Sequence, residues 1–203
     1  MEKIGIFGGT FNPVHKAHLK IAEIFTEQLN LNFCFFVPAF ISPFKANSDN
    51  KTIMTAKHRL AMLKAAIGTN KQLFIEDYET NRSCISYTID TINYFHNKFP
   101  DSQLFLLIGS DQFYDFQKWK DYNKILDLVD LCIASRPGEF LGNQYNKYLD
   151  DLFLKSKPPI ILENELMDIS ASEIRRRISM GEPFSELVPD VVEDYIIRNR
   201  LYL

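Results

Sequence analysis

A glycine-rich stretch near the start of the chain ends in two histidines that are three positions apart. Its candidate ligand-binding residues are Gly8, Gly9, Thr10, Phe11, His15 and His18. Glycines let a backbone approach a ligand closely, and the N-terminus of a following helix carries partial positive charge and unpaired N–H donors. Residues three positions apart on a helix share one face. The stretch therefore predicts a phosphate site at which two imidazoles donate hydrogen bonds to charge that develops during group transfer.

The stretch differs from two common phosphate loops. It has neither the Gly-Lys-Ser/Thr ending of a Walker loop nor the G-x-G-x-x-G dinucleotide fingerprint. A structural alternative stays open, in which the glycines form a tight turn and the histidines cap the helix. A metal site made of histidines alone is disfavoured, because no third ligand candidate stands nearby.

A second stretch, near the C-terminus, has the features of a helix start with added phosphate donors. Its candidate residues are Ile169, Ser170, Ser172 and Arg175. Ser170 and Glu173 have the spacing of a capping box, which predicts that a helix begins here. Arg175 would add a planar charged donor within about one turn. A cap alone explains Ser170, but two such helix starts at opposite ends of the chain predict a shared polyphosphate.

Short apolar runs alternate with longer helix-like stretches, and these elements would position both motifs. The strand candidates are residues 3–7, 33–37, 73–76, 104–108, 131–134 and 160–162. Helical stripes are predicted at Leu19, Ala22, Ile24 and Phe25, at Leu60, Leu63 and Ile67, and at Ile89, Ile92 and Phe95. Apolar strands that alternate with helices indicate right-handed β-α-β units and a parallel sheet covered on both faces. We therefore predict an α/β fold, a Rossmann-like doubly wound parallel sheet with a helical C-terminal subdomain.

One domain is predicted over residues 1–203, with a core over 1–163 and C-terminal helices over 164–203 that carry the second phosphate motif. These helices are expected near residues 170–180 and 189–198, with Gly181 placed to end the first of them. Residues 139–157 are polar and are predicted to form a surface excursion with some helix. Ligands of doubly wound sheets bind beyond the C-terminal ends of the strands, so the residues that follow each strand are the candidates.

Composition narrows the class of protein. With 203 residues, 46% hydrophobic and 24% charged, the chain is typical of a soluble globular domain. A net charge of -3 argues against broad nucleic-acid binding, although a few cations focused in a cleft can still bind a small anion. We expect no membrane span and no targeting segment. Cys34, Cys84 and Cys132 lack metal or disulfide spacing, which predicts free thiols and a cytoplasmic location.

The first stretch resembles the GGTFDPVHxGH signature of the nucleotidyltransferase superfamily, whose HxGH motif binds and activates nucleoside triphosphates. Here Asn12 stands in the aspartate position and Ala17 in the glycine position. The C-terminal stretch is similar to the superfamily's ISxTxxR motif, with Ser172 in place of threonine. The loop at residues 38–45 resembles a loop that usually reads PPHK, with Phe44 in the histidine position and Lys45 retained.

Further segments resemble bacterial nicotinate-nucleotide adenylyltransferases. Two of them imply contacts to ATP, through Gly109 and Asp111 of an IGxD motif and through Arg136 of an RPG motif. The others imply contacts to the pyridine mononucleotide, through Tyr87, Thr88, Trp119 and Lys120. Thr88 can also be read as a helix N-cap and Trp119 as a core residue. A cation at Lys120 would favour a nicotinate carboxylate over a neutral amide.

The resemblance implies that ATP and nicotinate mononucleotide react to give deamido-NAD and pyrophosphate. We expect His18 to contact the α-phosphate, and His15, Lys45 and Arg175 to hold the triphosphate. Mg²⁺ is the expected cofactor, bound by the phosphates and water without a cage of protein carboxylates.

Other readings of the sequence remain. The acceptor can be nicotinamide mononucleotide or phosphopantetheine, and Ala17 and Phe44 leave room for a nucleotide-sensing module without turnover. A purely structural scaffold would leave the paired phosphate motifs unexplained. The oligomeric state stays open between monomer and homodimer.

Overall fold

Six short strands form one parallel sheet in the computed structural model, which describes residues 1–43, 53–134, 157–162 and 167–203. The strands are β1 (Lys3–Gly9), β2 (Phe33–Pro38), β3 (Leu73–Ile75), β4 (Gln103–Gly109), β5 (Asp130–Ala134) and β6 (Ile160–Leu162). Each lies within about two residues of its predicted position. The sequence pattern was sufficient because strands covered on both faces are almost continuously apolar.

The strands lie in the order β3-β2-β1-β4-β5-β6, and all neighbouring pairs are parallel. β2 and then β3 extend the sheet on one side of β1, and β4, β5 and β6 extend it on the other side. The strand order therefore reverses between β1 and β4, where a doubly wound sheet opens a crevice at the C-terminal ends of its strands. This topology confirms the predicted Rossmann-like fold class.

Helices cover both faces of the sheet. They are α1 (Lys16–Gln28), α2 (Ala56–Ile67), α3 (Tyr78–Arg82), α4 (Thr88–Lys98), α5 (Ser110–Phe113), a 3₁₀ turn (Phe116–Lys118), α6 (Tyr122–Leu128), α7 (Ala171–Ser179) and α8 (Asp190–Arg198). The last two match the predicted C-terminal helices. Gly181 follows α7 with a φ of 69°, a left-handed conformation that favours glycine, as its predicted role requires.

Two apolar clusters fill the space on either side of the sheet. One contains residues of α1, α2, α7 and α8, and the other contains residues of α4 and α6. The C-terminal helices thus pack on the same face as α1. This packing brings the end of the chain to the loop that precedes α1. The predicted boundary at residue 163, between the core and the C-terminal helices, stays a prediction.

One predicted stripe is partly wrong. In α2 the buried residues are Arg59, Met62 and Leu63, while Leu60 and Ile67 are only half-buried. Leu63 is buried and Ile67 packs against the core, as predicted, but the buried face also includes Arg59, whose guanidinium binds main-chain carbonyls that apolar periodicity cannot detect. The stripes predicted in α1 and α4 do face the core.

Some predictions lie outside the described residues. They include most of the surface excursion at 139–157, and also Lys45 and Arg136. Within the described ranges, no helix has both the length and the apolar character needed to span a membrane.

Candidate active site

Two adjoining cavities open at the edge where β1 and β4 end. The smaller cavity has a volume of about 330 Å³ and the larger about 630 Å³. They share a wall that includes Gly8, Gly9, Thr10, Asp111 and Gln112. Their position matches the reversal of strand order, where ligands bind in sheets of this class.

The phosphate loop, defined here as residues 8–15, begins inside β1. Gly8 and Gly9 pair with Val37 and Pro38 of β2, so the strand reaches further than predicted. A Cβ on Gly9 would lie 2.8 Å from the Phe11 ring, which excludes a larger residue, whereas a Cβ on Gly8 would meet no atom within 4 Å. Gly8 therefore presents bare backbone to both cavities. The peptide bond between Asn12 and Pro13 is cis.

Phe11, which was expected to contact ATP, also has a structural role. Its side chain is 2% exposed and packs edge-on against Phe7 and His18, with ring centroids 5.4 and 5.1 Å away. The ring therefore supports the loop and the His18 imidazole from within the core. The part of Phe11 that lines the smaller cavity can still contact a nucleotide.

The two histidines lie against each other beside the smaller cavity. His15 is the N-cap of α1, and its ring stacks on that of His18 with centroids 3.6 Å apart. The His15 backbone N–H donates to His18 Nδ1 at 3.3 Å. A neutral imidazole whose Nδ1 accepts a hydrogen bond carries its proton on Nε2, so His18 has one N–H left to donate elsewhere.

Burial keeps both rings neutral. It lowers the pKa of His15 to about 4, and it also lowers the pKa of His18, to which the neighbouring His15 adds a smaller repulsion. The expected imidazole pair is thus a pair of neutral hydrogen-bond donors rather than two cations. The first amide of α1 is already used, because Lys16 N donates to Leu187 O at 3.0 Å. The helix N-terminus therefore offers fewer donors than the sequence suggested.

The C-terminal motif meets the phosphate loop at Arg175. Its Nη1 donates to the main-chain oxygen of Asn12 at 2.8 Å, and its Nη2 donates to Ser172 Oγ at 3.2 Å. Arg175, Ser172 and Ile169 line the smaller cavity together with His15 and His18. The fold thus brings together the two motifs that the sequence places at opposite ends.

Ser170 performs the structural role that the sequence left open. Its Oγ accepts a hydrogen bond from Glu173 N at 3.2 Å, and Ser170 is absent from the described residues that line either cavity. The Glu173 carboxylate does not complete a capping box but binds Arg176 and Arg177 instead. These two arginines form a surface network of ion pairs with Glu173, Glu182 and Glu186.

Gly109 and Asp111 lie where β4 passes into α5. A Cβ on Gly109 would come within 2.5 Å of the Asp111 carboxylate, so only glycine allows the aspartate its position. Asp111 is exposed and lines both cavities. It can therefore accept hydrogen bonds from a ribose in the crevice.

The larger cavity is lined by the four residues that were expected to contact the pyridine mononucleotide, Tyr87, Thr88, Trp119 and Lys120. Lys120 Nζ lies 4.6 Å from the centroid of the Tyr87 ring, a cation–π distance. Tyr87, not Thr88, is the N-cap of α4, so the Thr88 hydroxyl is not needed as a cap. Trp119 is half-buried, packs on Phe116 and still lines the cavity, which gives it both of the roles considered.

Two buried charged residues near the cavities were missed. Arg59 is 1% exposed and donates to Thr10 O at 2.7 Å, and Glu79 is 9% exposed and lines the larger cavity. Burial raises the pKa of Glu79 and lowers that of Arg59. No spacing rule marks either residue, since each binds partners distant in sequence.

No group of three His, Cys, Asp or Glu residues that could hold a metal ion occurs in the described parts of the chain. The donors at the smaller cavity are imidazole, guanidinium and hydroxyl groups, which suit phosphate oxygens rather than a divalent cation. This donor set is compatible with a metal ion that arrives bound to a polyphosphate.

The parallel sheet and the paired phosphate motifs define a nucleotidyltransferase. Residues 6–177 match the cytidylyltransferase-like family, and the chain belongs to that family.

Relatives of high similarity share one name. A protein of Herpetosiphon aurantiacus is 37% identical over 203 residues, and one of Clostridium beijerinckii is 37% identical over 207 residues. Both alignments cover 100% of this chain and 100% of the relative. Each relative is named a probable nicotinate-nucleotide adenylyltransferase.

Solved structures agree on the fold. The nicotinic acid mononucleotide adenylyltransferase of Plasmodium falciparum, complexed with NaAD, has a TM-score of 0.80 and covers 100% of this chain and 98% of its own. A putative nicotinate-nucleotide adenylyltransferase of Vibrio parahaemolyticus has a TM-score of 0.69, covering 100% of this chain and 96% of its own. At 20% and 17% identity, these likenesses show the shared fold.

Proposed function

We propose that this protein transfers the adenylyl group of ATP to nicotinate mononucleotide, forming deamido-NAD and pyrophosphate in NAD biosynthesis. The observation that carries the proposal is the pair of cavities that share the phosphate-loop wall, one lined by phosphate donors and the other by aromatic rings and a lysine. The name shared by relatives at 37% identity over the whole chain supports the choice of acceptor.

The reaction requires no general base. The acceptor phosphate is a monoester that is already largely dianionic at neutral pH, because its second pKa is about 6. One of its oxygens forms a bond to the α-phosphorus of ATP, and the bond from that phosphorus to the oxygen that bridges to the β-phosphate breaks. Pyrophosphate leaves with that oxygen. Catalysis then consists of aligning the two phosphates and offsetting the charge that develops.

The smaller cavity supplies the donors. We assign His18 Nε2–H to the α-phosphate, and His15, Arg175 and Lys45 to the rest of the triphosphate, Lys45 on the family motif alone. Because the His18 ring is neutral and held by the His15 amide and the Phe11 ring, its proton direction is set before ATP binds. A preorganised donor of this kind needs little rearrangement in the transition state.

Mg²⁺ is proposed to enter with ATP, held by phosphate oxygens and water. When bound, it neutralises charge on the triphosphate. The chain's own residues then need only fix the position of the phosphates, in keeping with the donor set at the smaller cavity.

The larger cavity is assigned to the acceptor. Trp119 and Tyr87 offer aromatic faces for a pyridine ring, and the Lys120 ammonium over Tyr87 offers a counter-charge for the nicotinate carboxylate. Asp111, at the shared wall, is assigned to a ribose.

A cytoplasmic location is also proposed. It is favoured by Cys34 and Cys132, which are buried as free thiols, since disulfides are rare in that compartment.

An acceptor panel tests the function. Purified protein with Mg²⁺ and ATP would be assayed for pyrophosphate release with nicotinate mononucleotide, nicotinamide mononucleotide and phosphopantetheine. We expect the highest kcat/KM with nicotinate mononucleotide. Preference for another acceptor would contradict the proposed substrate, and ATP binding without pyrophosphate release from any acceptor would identify a sensing module.

A further inference from the structure

A buried carboxylate in the wall of the larger cavity has no part in the reaction described above. Glu79, in α3, is the one buried acidic residue among the described residues that line this cavity. Thr91 Oγ1 donates a hydrogen bond to Glu79 Oε1, so the Thr91 hydroxyl proton points toward Glu79. The Ser86 hydroxyl is also near this carboxylate, and it opposes part of the rise that burial gives to the pKa of Glu79.

This arrangement orients the segment that begins α4. Ser86 immediately precedes Tyr87 and Thr88, which line the larger cavity, and Thr91 lies one turn into the helix. Since Glu79 interacts with hydroxyls both before and inside the helix, it can fix how the start of α4 meets the cavity.

The same hydrogen bonds continue to the phosphate loop. Ser86 Oγ accepts a hydrogen bond from Phe40 N at 2.9 Å. The Arg59 guanidinium donates to Phe40 O at 3.4 Å and to Thr10 O at 2.7 Å. A continuous network therefore runs from the wall of the larger cavity to the wall that both cavities share.

The network joins the start of α4 to the carbonyl of Thr10 at the shared wall. Such a connection matters for a transfer between two phosphates, because a misplacement of about 1 Å can cost about a hundredfold in rate.

We propose that Glu79 is a positioning residue for the acceptor nucleotide and that Arg59 extends its hydrogen-bond network to the phosphate loop. The inference rests on the proposed function, since it assigns the larger cavity to the acceptor. It adds two residues that act through the groups they position.

The central variant is Glu79→Gln. It keeps the size of the side chain but replaces one carboxylate oxygen, which accepts hydrogen bonds, with an NH₂ group that can only donate and so cannot bind a donating hydroxyl. Thr91→Val removes one hydroxyl at nearly constant shape, and Thr91→Ser restores it. The matched control is Thr26→Val, since Thr26 has an equally buried hydroxyl that donates to Ala22 O within α1, away from both cavities. Each variant would be characterised by kcat, by KM for each substrate and by thermal unfolding.

Glu79→Gln and Thr91→Val should raise the KM for nicotinate mononucleotide about tenfold, the scale of one lost hydrogen bond to a charged group. The KM for ATP should change less than about twofold, because the smaller cavity keeps its donors. Thr91→Ser should return the acceptor KM to the wild-type value. Thr26→Val should lower thermal stability without moving either KM.

Arg59→Lys tests the other end of the network. Lysine keeps the charge but cannot bridge two carbonyls with a planar fork, so kcat should fall about tenfold as the alignment loosens. An unchanged kcat would remove Arg59 from the proposal.

An acceptor KM that stays within twofold in both Glu79→Gln and Thr91→Val would overturn the role of Glu79, as would equal changes in Thr26→Val. If Glu79→Gln does not fold, Thr91→Val and Thr91→Ser decide the question. If the wild type turns over nicotinate mononucleotide but the variants leave the KM values unchanged, this inference alone is refuted. A wild type that turns over no acceptor refutes the proposed function, and this inference falls with it.

Discussion

At the scale of single residues, the hydrogen bond from the His15 backbone to His18 Nδ1 decides what the histidines can do. It leaves the proton of His18 on Nε2, and burial keeps the ring neutral. His18 is then a directed hydrogen-bond donor whose strength rises as negative charge develops on the α-phosphate.

His18→Ala should lower kcat by roughly 10²–10³-fold, the scale for loss of one transition-state donor, and should leave the fold intact. His96→Ala is the control, because His96 is an exposed histidine on α4, away from the cavities. The measurement is the steady-state rate of pyrophosphate release by each variant, compared with that of the wild type. A loss below threefold in His18→Ala would remove this residue from the mechanism.

The buried histidines also predict a pH dependence of stability. The pKa of His15 is about 4 in the folded chain against an ordinary value of 6.5, so between these pH values the unfolded chain binds the proton and the folded chain does not. Stability is therefore lost as pH falls from 6.5 towards 4. At pH 5 the loss from His15 is about 2 kcal/mol relative to pH 7, at about 1.4 kcal/mol per pH unit below the unfolded pKa.

Denaturant unfolding without nucleotide at pH 7 and pH 5 measures this effect. His15→Gln has no group that titrates there, so its free energy of unfolding should fall by about 2 kcal/mol less than that of the wild type between the two pH values. Equal losses in the two proteins would mean that His15 is not held neutral by burial.

Lys120 is the residue most directly linked to the choice of acceptor. Lys120→Ala should lower the ratio of kcat/KM for nicotinate mononucleotide to that for nicotinamide mononucleotide by about tenfold, since the ammonium favours a carboxylate over an amide. Lys124→Ala is the matched control, because Lys124 pairs with Asp121 on the surface. If the ratio is the same in both variants, Lys120 has no role in selectivity.

At the scale of elements, α7 connects the two phosphate motifs. Its N-terminal turn is capped by Ser170, and Arg175 projects from the next turn to the carbonyl of Asn12 in the phosphate loop. The side-chain oxygen of Asn12 in turn accepts from Met54 N and Tyr202 OH at 3.0 and 2.9 Å. The loop that precedes α1 is thus held by residues from α7 and from the end of the chain.

Arg175→Lys tests this element. Lysine keeps the positive charge but cannot bind Asn12 and a phosphate with one planar group, so the KM for ATP should rise about tenfold. Arg198→Lys is the control, because the Arg198 side chain is exposed on α8 and pairs only with Asp194 among the interactions described for it. An ATP KM that is unchanged in Arg175→Lys would show that the second motif does not hold the triphosphate.

At the scale of the whole molecule, the sheet order explains why both motifs reach one place. β1 and β4 lie side by side where the strand order reverses, and α7 packs on the same face as α1. Short apolar runs predicted all six strands, because the central strands are buried on both faces and even the edge strands β3 and β6 consist of apolar residues. The sequence also predicted the C-terminal helices, because a cap and a glycine mark the ends of the first.

The parts that sequence reasoning missed are contacts that follow no simple spacing rule and form only in the folded chain. The buried position of Arg59 depends on carbonyls of Thr10, Phe40 and Met54, and an arginine within a helix ordinarily predicts a solvated face. Glu79 depends on hydroxyls that only the folded chain brings to it. Phe11 was assigned to ATP because it lies in the motif, yet its side chain is needed to support His18 from the core.

The central claim is that the adenylyl group of ATP passes from the smaller cavity to a phosphate held in the larger one. The most direct measurement follows ATP labelled with ³²P at the α- or the γ-phosphate during incubation with the protein, Mg²⁺ and nicotinate mononucleotide. The account predicts that the α-label enters deamido-NAD and the γ-label enters pyrophosphate, one for one. A γ-label on the acceptor, or both labels retained in ATP that the protein has bound, would contradict it.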